Sequence, residues 1–174
     1  CYCPSPNISL DEATLAFKGI YPYKVYNPKK PVRWGLKEYC VNDAVNGYNL
    51  RNFPYTGKNT ITIPEGSKKL KTEELCLQLL QPFEQSGITV YTDNYYSSPN
   101  LFLDLQRKGI GACGTVRKNR TNMPPQLKAT NLNKGDPPVF YKSDTLLVSS
   151  WQDKQRVNII STVGNCDTVQ KQVD

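Results

Sequence analysis

Apolar residues recur along this chain with two different spacings, and these predict strands and helices. Residues 88–92 are all β-branched or aromatic, as expected of a buried strand. A serine pair before Pro99 can then cap a helix, whose apolar residues repeat at helical spacing until Gly109 ends it. The segment therefore predicts strand, turn and helix, with Asp93 at the end of the strand.

The remaining pattern predicts further strands around one more helix. Residues 34–41 and 48–55 read as a β-hairpin that turns at Asn46-Gly47. A second helix is predicted from Thr72, with Leu75, Leu79, Leu80 and Phe83 facing the sheet. Other strands are predicted at residues 7–18, 111–116, 140–141, 145–151 and 156–162. Residues 119–138 are rich in Asn, Pro and Lys, and we interpret them as a loop or insertion.

Two aspartates carry the candidate chemistry. Asp93 follows the strand at residues 88–92, while Asp11 lies within the strand at residues 7–18, on the same face as Leu15. An acid on an apolar strand face is costly unless it is paired or bound to a metal. Adjacent strands of one sheet would bring the two carboxylates together. The alternative interpretation of Asp93 is an ordinary turn residue. The neighbouring Glu12 and Asn94 could support such a site, or they could be polar residues that face outward.

Charge favours a polyanionic partner. The chain has 22 Lys and Arg against 15 Asp and Glu, a net charge of +7 and a pI of about 9.1. The basic residues that could contact the phosphates of a nucleic acid are Lys29, Lys30, Arg33, Arg117, Lys118 and Arg120. Contacts of this kind position a nucleic acid without reading its sequence. A solvated basic surface is the alternative, and Tyr95 and Tyr96 are candidates for stacking on unpaired bases or for core packing.

Several chemistries are excluded by composition. The chain contains no histidine, which excludes Ser-His-Asp and Cys-His catalysis. Sequons at Asn7 and Asn119 and six cysteines leave a secreted, disulfide-bonded domain as a rival class. Free cysteines suit Cys40, Cys76 and Cys113 better, because these lie inside strand or helix patterns. No apolar stretch is long enough to span a membrane.

Six segments, in their order and spacing, resemble the catalytic domain of PiggyBac-type DNA transposases and their domesticated relatives. One of them is Tyr91-Thr-Asp-Asn-Tyr-Tyr-Ser-Ser98, which contains Asp93. All six are residues 9–19, 26–37, 55–57, 91–98, 114–119 and 151–154. The resemblance covers nearly the whole chain, and six ordered segments are more specific than any one of them.

This resemblance implies a DDE/D recombinase core in which three aspartates hold two divalent metals, Mg²⁺ or Mn²⁺, for cleavage and strand transfer of DNA. Asp11 falls on the first of the family's catalytic aspartates and Asp93 on the second. The third belongs to a Gly-Gly-Val-Asp-type motif. Asp174 follows a Val but lacks the two glycines, so we read it as short of that motif. We therefore expect a fragment truncated at both ends that is weak or inactive alone.

The expected fold is an α/β, RNase H-like mixed sheet flanked by helices, with extra strands near the C-terminus. It forms a single catalytic domain over residues 1–174, and its predicted order of strands and helices agrees with the RNase H order. The resemblance further implies DNA as partner, both transposon ends and target, a homodimer of the full-length protein and a nuclear location. The alternative is a domesticated or decayed relative that binds DNA or protein without cutting.

Overall fold

The computed structural model describes residues 2–164, in which nine strands form one sheet. The strands are β1 (Asn7–Ala16), β2 (Val25–Tyr26), β3 (Trp34–Asp43), β4 (Asn49–Pro54), β5 (Thr89–Thr92), β6 (Gly111–Thr115), β7 (Val139–Lys142), β8 (Leu147–Gln152) and β9 (Arg156–Ser161). The α-helices in this part of the chain are α1 (Lys71–Leu80), α2 (Pro99–Arg107) and α3 (Pro125–Ala129).

The sheet is mixed, with its parallel pairs at the centre. The strand order is β2-β3-β1-β5-β6-β9-β8-β7, and β4 pairs with the same edge of β3 as β2 does. β1 pairs in parallel with β5 and β5 with β6, whereas the other pairs are antiparallel. The predicted mixed α/β sheet is confirmed, and the strands near the C-terminus extend the same sheet.

One face of the sheet carries the core, because α1 and α2 pack on it. The buried strand residues alternate as period two requires, for example Ile8 and Leu10 on β1. The helix residues predicted to face the sheet are all buried: Leu75, Leu79, Leu80 and Phe83. Burying one such leucine fully contributes roughly 1.5–3 kcal/mol. The opposite residues of β1, Ser9 and Asp11 among them, lie on the other face.

Turns and caps follow the sequence signals. Gly47 has a φ of 75°, in the left-handed region that the hairpin turn requires. At α2 the Ser98 hydroxyl accepts a hydrogen bond from the Leu101 N–H at 3.1 Å, so Ser98 is the N-cap. Helix α1 begins one residue before the predicted Thr72. These predictions are confirmed. They could be made from the sequence because caps and turns depend on neighbouring residues.

The interpretation of residues 119–138 as a loop or insertion missed helix α3. Leu127 of this helix is fully buried, and Met123 just before it is nearly so. The Arg156 guanidinium holds the helix in place by donating to the carbonyl oxygens of Leu127 at 2.9 Å and Thr130 at 2.5 Å. Five residues are too few to show a 3.6-residue period in the sequence, which is why the pattern gave no signal.

Two further expectations concern cysteines and membranes. Cys40 and Cys76 are buried free thiols, and Cys113 is a half-buried one, as the sequence patterns indicated. The helices between residues 2 and 164 include none that is long and apolar enough to cross a bilayer.

Candidate functional site

The parallel pairing of β1 with β5 places the two predicted aspartates on adjacent strands, with Asp11 in the middle of β1 and Asp93 directly after the end of β5. Leu10 pairs with Thr92. Asp11 and Asp93 are the next residues after this pair, so they lie side by side. Neighbouring strands lie about 4.8 Å apart, a spacing that suits carboxylates sharing a ligand. Both aspartates are exposed.

The reason for singling out Asp11 needs a correction. The sequence pattern suggested an acid on a buried apolar face, but Leu15, two positions from Ala13 on that face, is 51% exposed. The buried residues of β1 lie on the opposite face, which α1 and α2 cover. Asp11 therefore faces away from the core of the described part of the chain, and because its side chain is exposed it incurs no large desolvation cost.

Each of these carboxylates accepts few hydrogen bonds. Asp93 Oδ1 accepts from the Tyr95 N–H at 2.8 Å, which forms an Asx turn. Asp11 Oδ1 accepts from the Glu12 N–H at 2.8 Å. Within residues 2–164 these local contacts are the ones that the two carboxylates make with protein donors, and each leaves the second carboxylate oxygen open.

The backbone of the Asp93 turn is fixed more firmly. The Asp93 main-chain oxygen accepts from the N–H of Ser97 at 3.1 Å and from its hydroxyl at 2.8 Å. The Ser97 hydroxyl also lies 2.8 Å from the Thr92 hydroxyl, in the buried layer beneath the turn. This arrangement holds the main chain while the Asp93 side chain stays exposed.

Two of the predicted DNA-binding arginines contact this same turn. They follow β6, and because β5 and β6 are parallel their carboxyl ends meet at one edge. Arg117 Nε donates to the side-chain oxygen of Asn94 at 3.0 Å. Arg120 donates to the carbonyl oxygens of Asn94 at 2.9 Å, Tyr95 at 2.6 Å and Ser97 at 3.1 Å. The structure thus gives Arg120 a positioning role that its charge alone did not reveal.

A second set of contacts ties β1 to the Asp93 turn. The Tyr96 hydroxyl donates to Glu12 Oε2 at 2.7 Å, and Lys37 Nζ lies 3.7 Å from Glu12 Oε1. Burial raises the pKa of Tyr96, and the hydrogen bond to Glu12 raises it further. Tyr96 is 1% exposed and is a core residue, whereas Tyr95 is 43% exposed and keeps its ring available.

A buried carboxylate beneath the site was not anticipated. Ser98 Oγ donates to Glu73 Oε1 at 2.6 Å, and Glu73 Oε2 accepts from the Leu70 N–H at 3.1 Å. Glu73 is 5% exposed and connects the first turns of α1 and α2. The sequence marked it only as an acid suited to the N-terminal end of a helix dipole. Its distant partner in the sequence could not be read from that signal.

The remaining predicted DNA contacts lie apart from the acid pair. Lys118 is exposed just after β6. The other three lie between β2 and β3: Lys29, Lys30 and Arg33. Ala16 at the end of β1 pairs with the start of β3, so this segment lies about 17 Å from Asp11 along the strand. The structure does not gather these cations around the carboxylates but leaves them along the same end of the sheet.

The donor set suits a hard divalent cation. Mg²⁺ prefers oxygen ligands and commonly takes one or two protein carboxylates, with water and substrate phosphate completing its shell. Asp11 and Asp93 offer two exposed carboxylates. Residues 2–164 contain no group of three or more His, Cys, Asp or Glu side chains arranged to hold a metal. Asp174 lies outside the described residues.

Comparison with known proteins gives relatives of one kind. The family described as Transposase IS4 matches residues 1–174. Human PiggyBac transposable element-derived protein 2 is 29% identical over 168 residues, covering 92% of this chain and 28% of that protein. The human PiggyBac transposable element-derived protein 3 is 29% identical over 166 residues, covering 88% of this chain and 26% of that protein. The chain thus spans about a quarter of the length of these curated relatives.

A solved structure agrees with the sequence relatives. The cryo-EM structure of the piggyBac transposase synaptic complex with hairpin DNA superposes with a TM-score of 0.82 at 26% identity. The match covers 98% of this chain and 36% of that one. The resemblance to PiggyBac-type transposases is confirmed, and the chain belongs to the transposase family described as Transposase IS4.

Proposed function

We propose that this chain forms most of the catalytic core of a PiggyBac-like, metal-dependent DNA transposase. The observation that carries the proposal is the parallel pairing of β1 with β5, which places Asp11 and Asp93 next to each other on adjacent strands. The order β4-β3-β1-β5-β6, antiparallel and then parallel, supports an RNase H-like description of the sheet. A DDE/D core places its metal-binding carboxylates on neighbouring strands in this way.

The residues of this chain would act in distinct ways. Asp11 and Asp93 would hold Mg²⁺ or Mn²⁺ through their open carboxylate oxygens, and Arg120 would keep the Asp93 turn in the geometry that binding needs. A divalent pair bound there supplies activation of the attacking water or 3′-hydroxyl and stabilisation of the leaving oxygen. The third carboxylate of such a site would come from outside the described residues.

DNA is the proposed partner, both as transposon ends and as target. The net charge of +7 and the exposed cations at the end of the sheet favour a polyanion. The similar solved protein is described in complex with hairpin DNA. We propose Lys29, Lys30, Arg33, Arg117 and Lys118 as phosphate contacts. A nuclear location and a homodimer follow from the same proposal.

A second candidate is a domesticated relative that binds DNA or protein without cutting. The human relatives are named as proteins derived from a transposable element. Only two carboxylates meet at the edge within the part of the chain described by the structure. This candidate keeps the fold and the basic surface but not the chemistry.

A cleavage assay separates the two candidates. The full-length protein is incubated with DNA that carries its own element's ends, in Mg²⁺ or Mn²⁺. Asp11→Asn and Asp93→Asn should each lower the cleavage rate by at least about 1,000-fold while DNA binding persists. Asp153→Asn, at an exposed turn between β8 and β9, is the matched control and should cleave normally. Cleavage retained in both active-site variants contradicts the proposal, and metal-independent binding without cleavage by the wild type favours the second candidate.

A further inference from the structure

A cleft of about 460 Å³ opens beside the Asp93 turn, on the helix-covered side of the sheet. Its walls come from β3, the segment after β4 and the first turn of α1. The residues that give it chemical character are Lys37, Tyr39, Tyr55, Lys58, Lys71 and Tyr95. A volume of this size suits one small organic group.

Tyrosine rings line the cleft, and that of Tyr95 is exposed. Tyr39 is 8% exposed, and its ring meets that of Tyr55 edge to face, with centroids 6.5 Å apart. Burial raises the pKa of Tyr39 to about 12. Tyr95, 43% exposed, forms the border between the cleft and the Asp93 turn. A planar ligand that enters here can stack on tyrosine.

The charged residues of the cleft are all cationic. Lys37 Nζ lies 4.8 Å from the centre of the Tyr39 ring and 5.9 Å from that of Tyr95, and Glu12 partly neutralises it. Lys71 Nζ donates to the Lys58 carbonyl at 2.5 Å, which holds these two exposed lysines together at the rim. None of the described residues that line the cleft is acidic. The cleft therefore favours an anionic ligand.

We propose that this cleft binds one unpaired nucleotide of the DNA, with its base against Tyr95 and its phosphate near Lys58 and Lys71. Rings and cations together fit a nucleotide better than they fit an inorganic anion, which has no planar part. A base inside a duplex is stacked on its neighbours and cannot enter, so the strand must be unpaired at this point. The proposal rests on the proposed function in taking DNA as the partner, and Tyr95, which lines the cleft, donates its N–H to Asp93 Oδ1.

The test compares two DNAs with equal charge. Both are a duplex with a four-nucleotide single-stranded flap. In one the flap carries bases, and in the other it consists of abasic sites. Affinity for the full-length protein is measured by fluorescence anisotropy in EDTA at fixed salt, so that no cleavage occurs. We expect the flap with bases to bind about tenfold more tightly.

Variants assign this preference to the cleft. Tyr95→Ala should reduce the preference for bases to about twofold or less, because it removes the exposed stacking surface. Lys58→Ala, an exposed change that leaves the core intact, should weaken both DNAs equally, by about threefold. Tyr48→Ala, at an exposed tyrosine in the hairpin turn, is the control and should keep the tenfold ratio.

The outcomes separate this proposal from the proposed function. Equal affinity of the wild type for the two flaps would contradict nucleotide binding in the cleft. Metal-dependent cleavage by the same preparation would still support the proposed function. A preserved ratio in Tyr95→Ala would also contradict nucleotide binding in the cleft. Absence of any DNA binding contradicts both.

Discussion

Two aspartates in this fold have opposite surroundings. Asp43, at the end of β3, is buried and accepts hydrogen bonds from Ser5 N at 2.7 Å, Ser5 Oγ at 2.9 Å, Tyr2 Oη at 2.7 Å and Val45 N at 2.9 Å. Asp93, at the end of β5, is exposed and accepts one hydrogen bond from its own turn. The Asp43 carboxylate is fully engaged by donors within the fold, whereas the Asp93 carboxylate remains open for a ligand.

The two sites differ in which part of the aspartate the fold holds in place. At Asp43 the carboxylate itself holds the N-terminal segment against the turn after β3. At Asp93 the main chain is held instead, by Ser97 and by the Arg120 guanidinium, and the carboxylate remains open. A side chain positioned by contacts that its own functional group does not make is suited to metal binding.

The largest expected effect is on stability at Asp43. In Asp43→Asn one carboxylate oxygen is replaced by a donor, which leaves the N–H and hydroxyl groups of its neighbours without an acceptor. We expect the melting temperature to fall by about 5 °C or more. Asp93→Asn should change it by about 1 °C or less, because the exposed side chain has few partners. Calorimetry of both variants measures the contrast, and equal losses would contradict it.

The second prediction concerns acid. Hydrogen bonds from the Ser5 N–H and the Tyr2 hydroxyl lower the pKa of Asp43 below its usual value. The stability that this provides is fully present above the unfolded pKa of about 3.9 and is lost as pH falls towards the folded pKa. Melting curves from pH 6 to pH 2 should therefore fall more steeply for the wild type than for Asp43→Asn. Parallel curves would show that another group governs acid unfolding.

The smallest expected effect separates two cations after β6. Arg120→Lys keeps the charge but loses the planar donor fork that holds three carbonyl groups, so Mn²⁺ affinity should fall by about tenfold. Lys118→Ala should leave Mn²⁺ affinity unchanged, lower DNA affinity and reduce its salt slope by about one. Metal and DNA titrations of both variants measure this. Similar responses of the two variants would mean that Arg120 acts as a phosphate contact.

The features that could be predicted from the sequence are those that depend on residues close together in the chain. Strand alternation, the Ser98 cap and the Gly47 turn are local, and they were enough to place Asp11 within β1 and Asp93 at the end of β5. Arg120 was recognised as a cation but not as a partner of carbonyl groups in the Asp93 turn, because charge patterns carry no information on distant acceptors. Glu73 was missed as a link to α2 for the same reason.

Two other features were out of reach of pattern reading. Helix α3 is too short for its period to appear, and its anchor, Arg156, comes from β9. Asp43 gave no signal in the sequence, and its donors include Ser5, which precedes β1, and Val45, which follows β3. The prediction that Asp11 lies on a buried apolar face was wrong. Its position beside Asp93 follows from the strand pairing.

The central claim is that Asp11 and Asp93 form one site for a divalent metal. Paramagnetic broadening of amide NMR signals by substoichiometric Mn²⁺ tests it most directly. The account predicts that the signals of residues 10–12 and 93–95 broaden first, and that Asp11→Asn or Asp93→Asn abolishes this while the rest of the spectrum is unchanged. Broadening that begins at Asp153 or other exposed acids, or none at these segments at millimolar Mn²⁺, would contradict the claim.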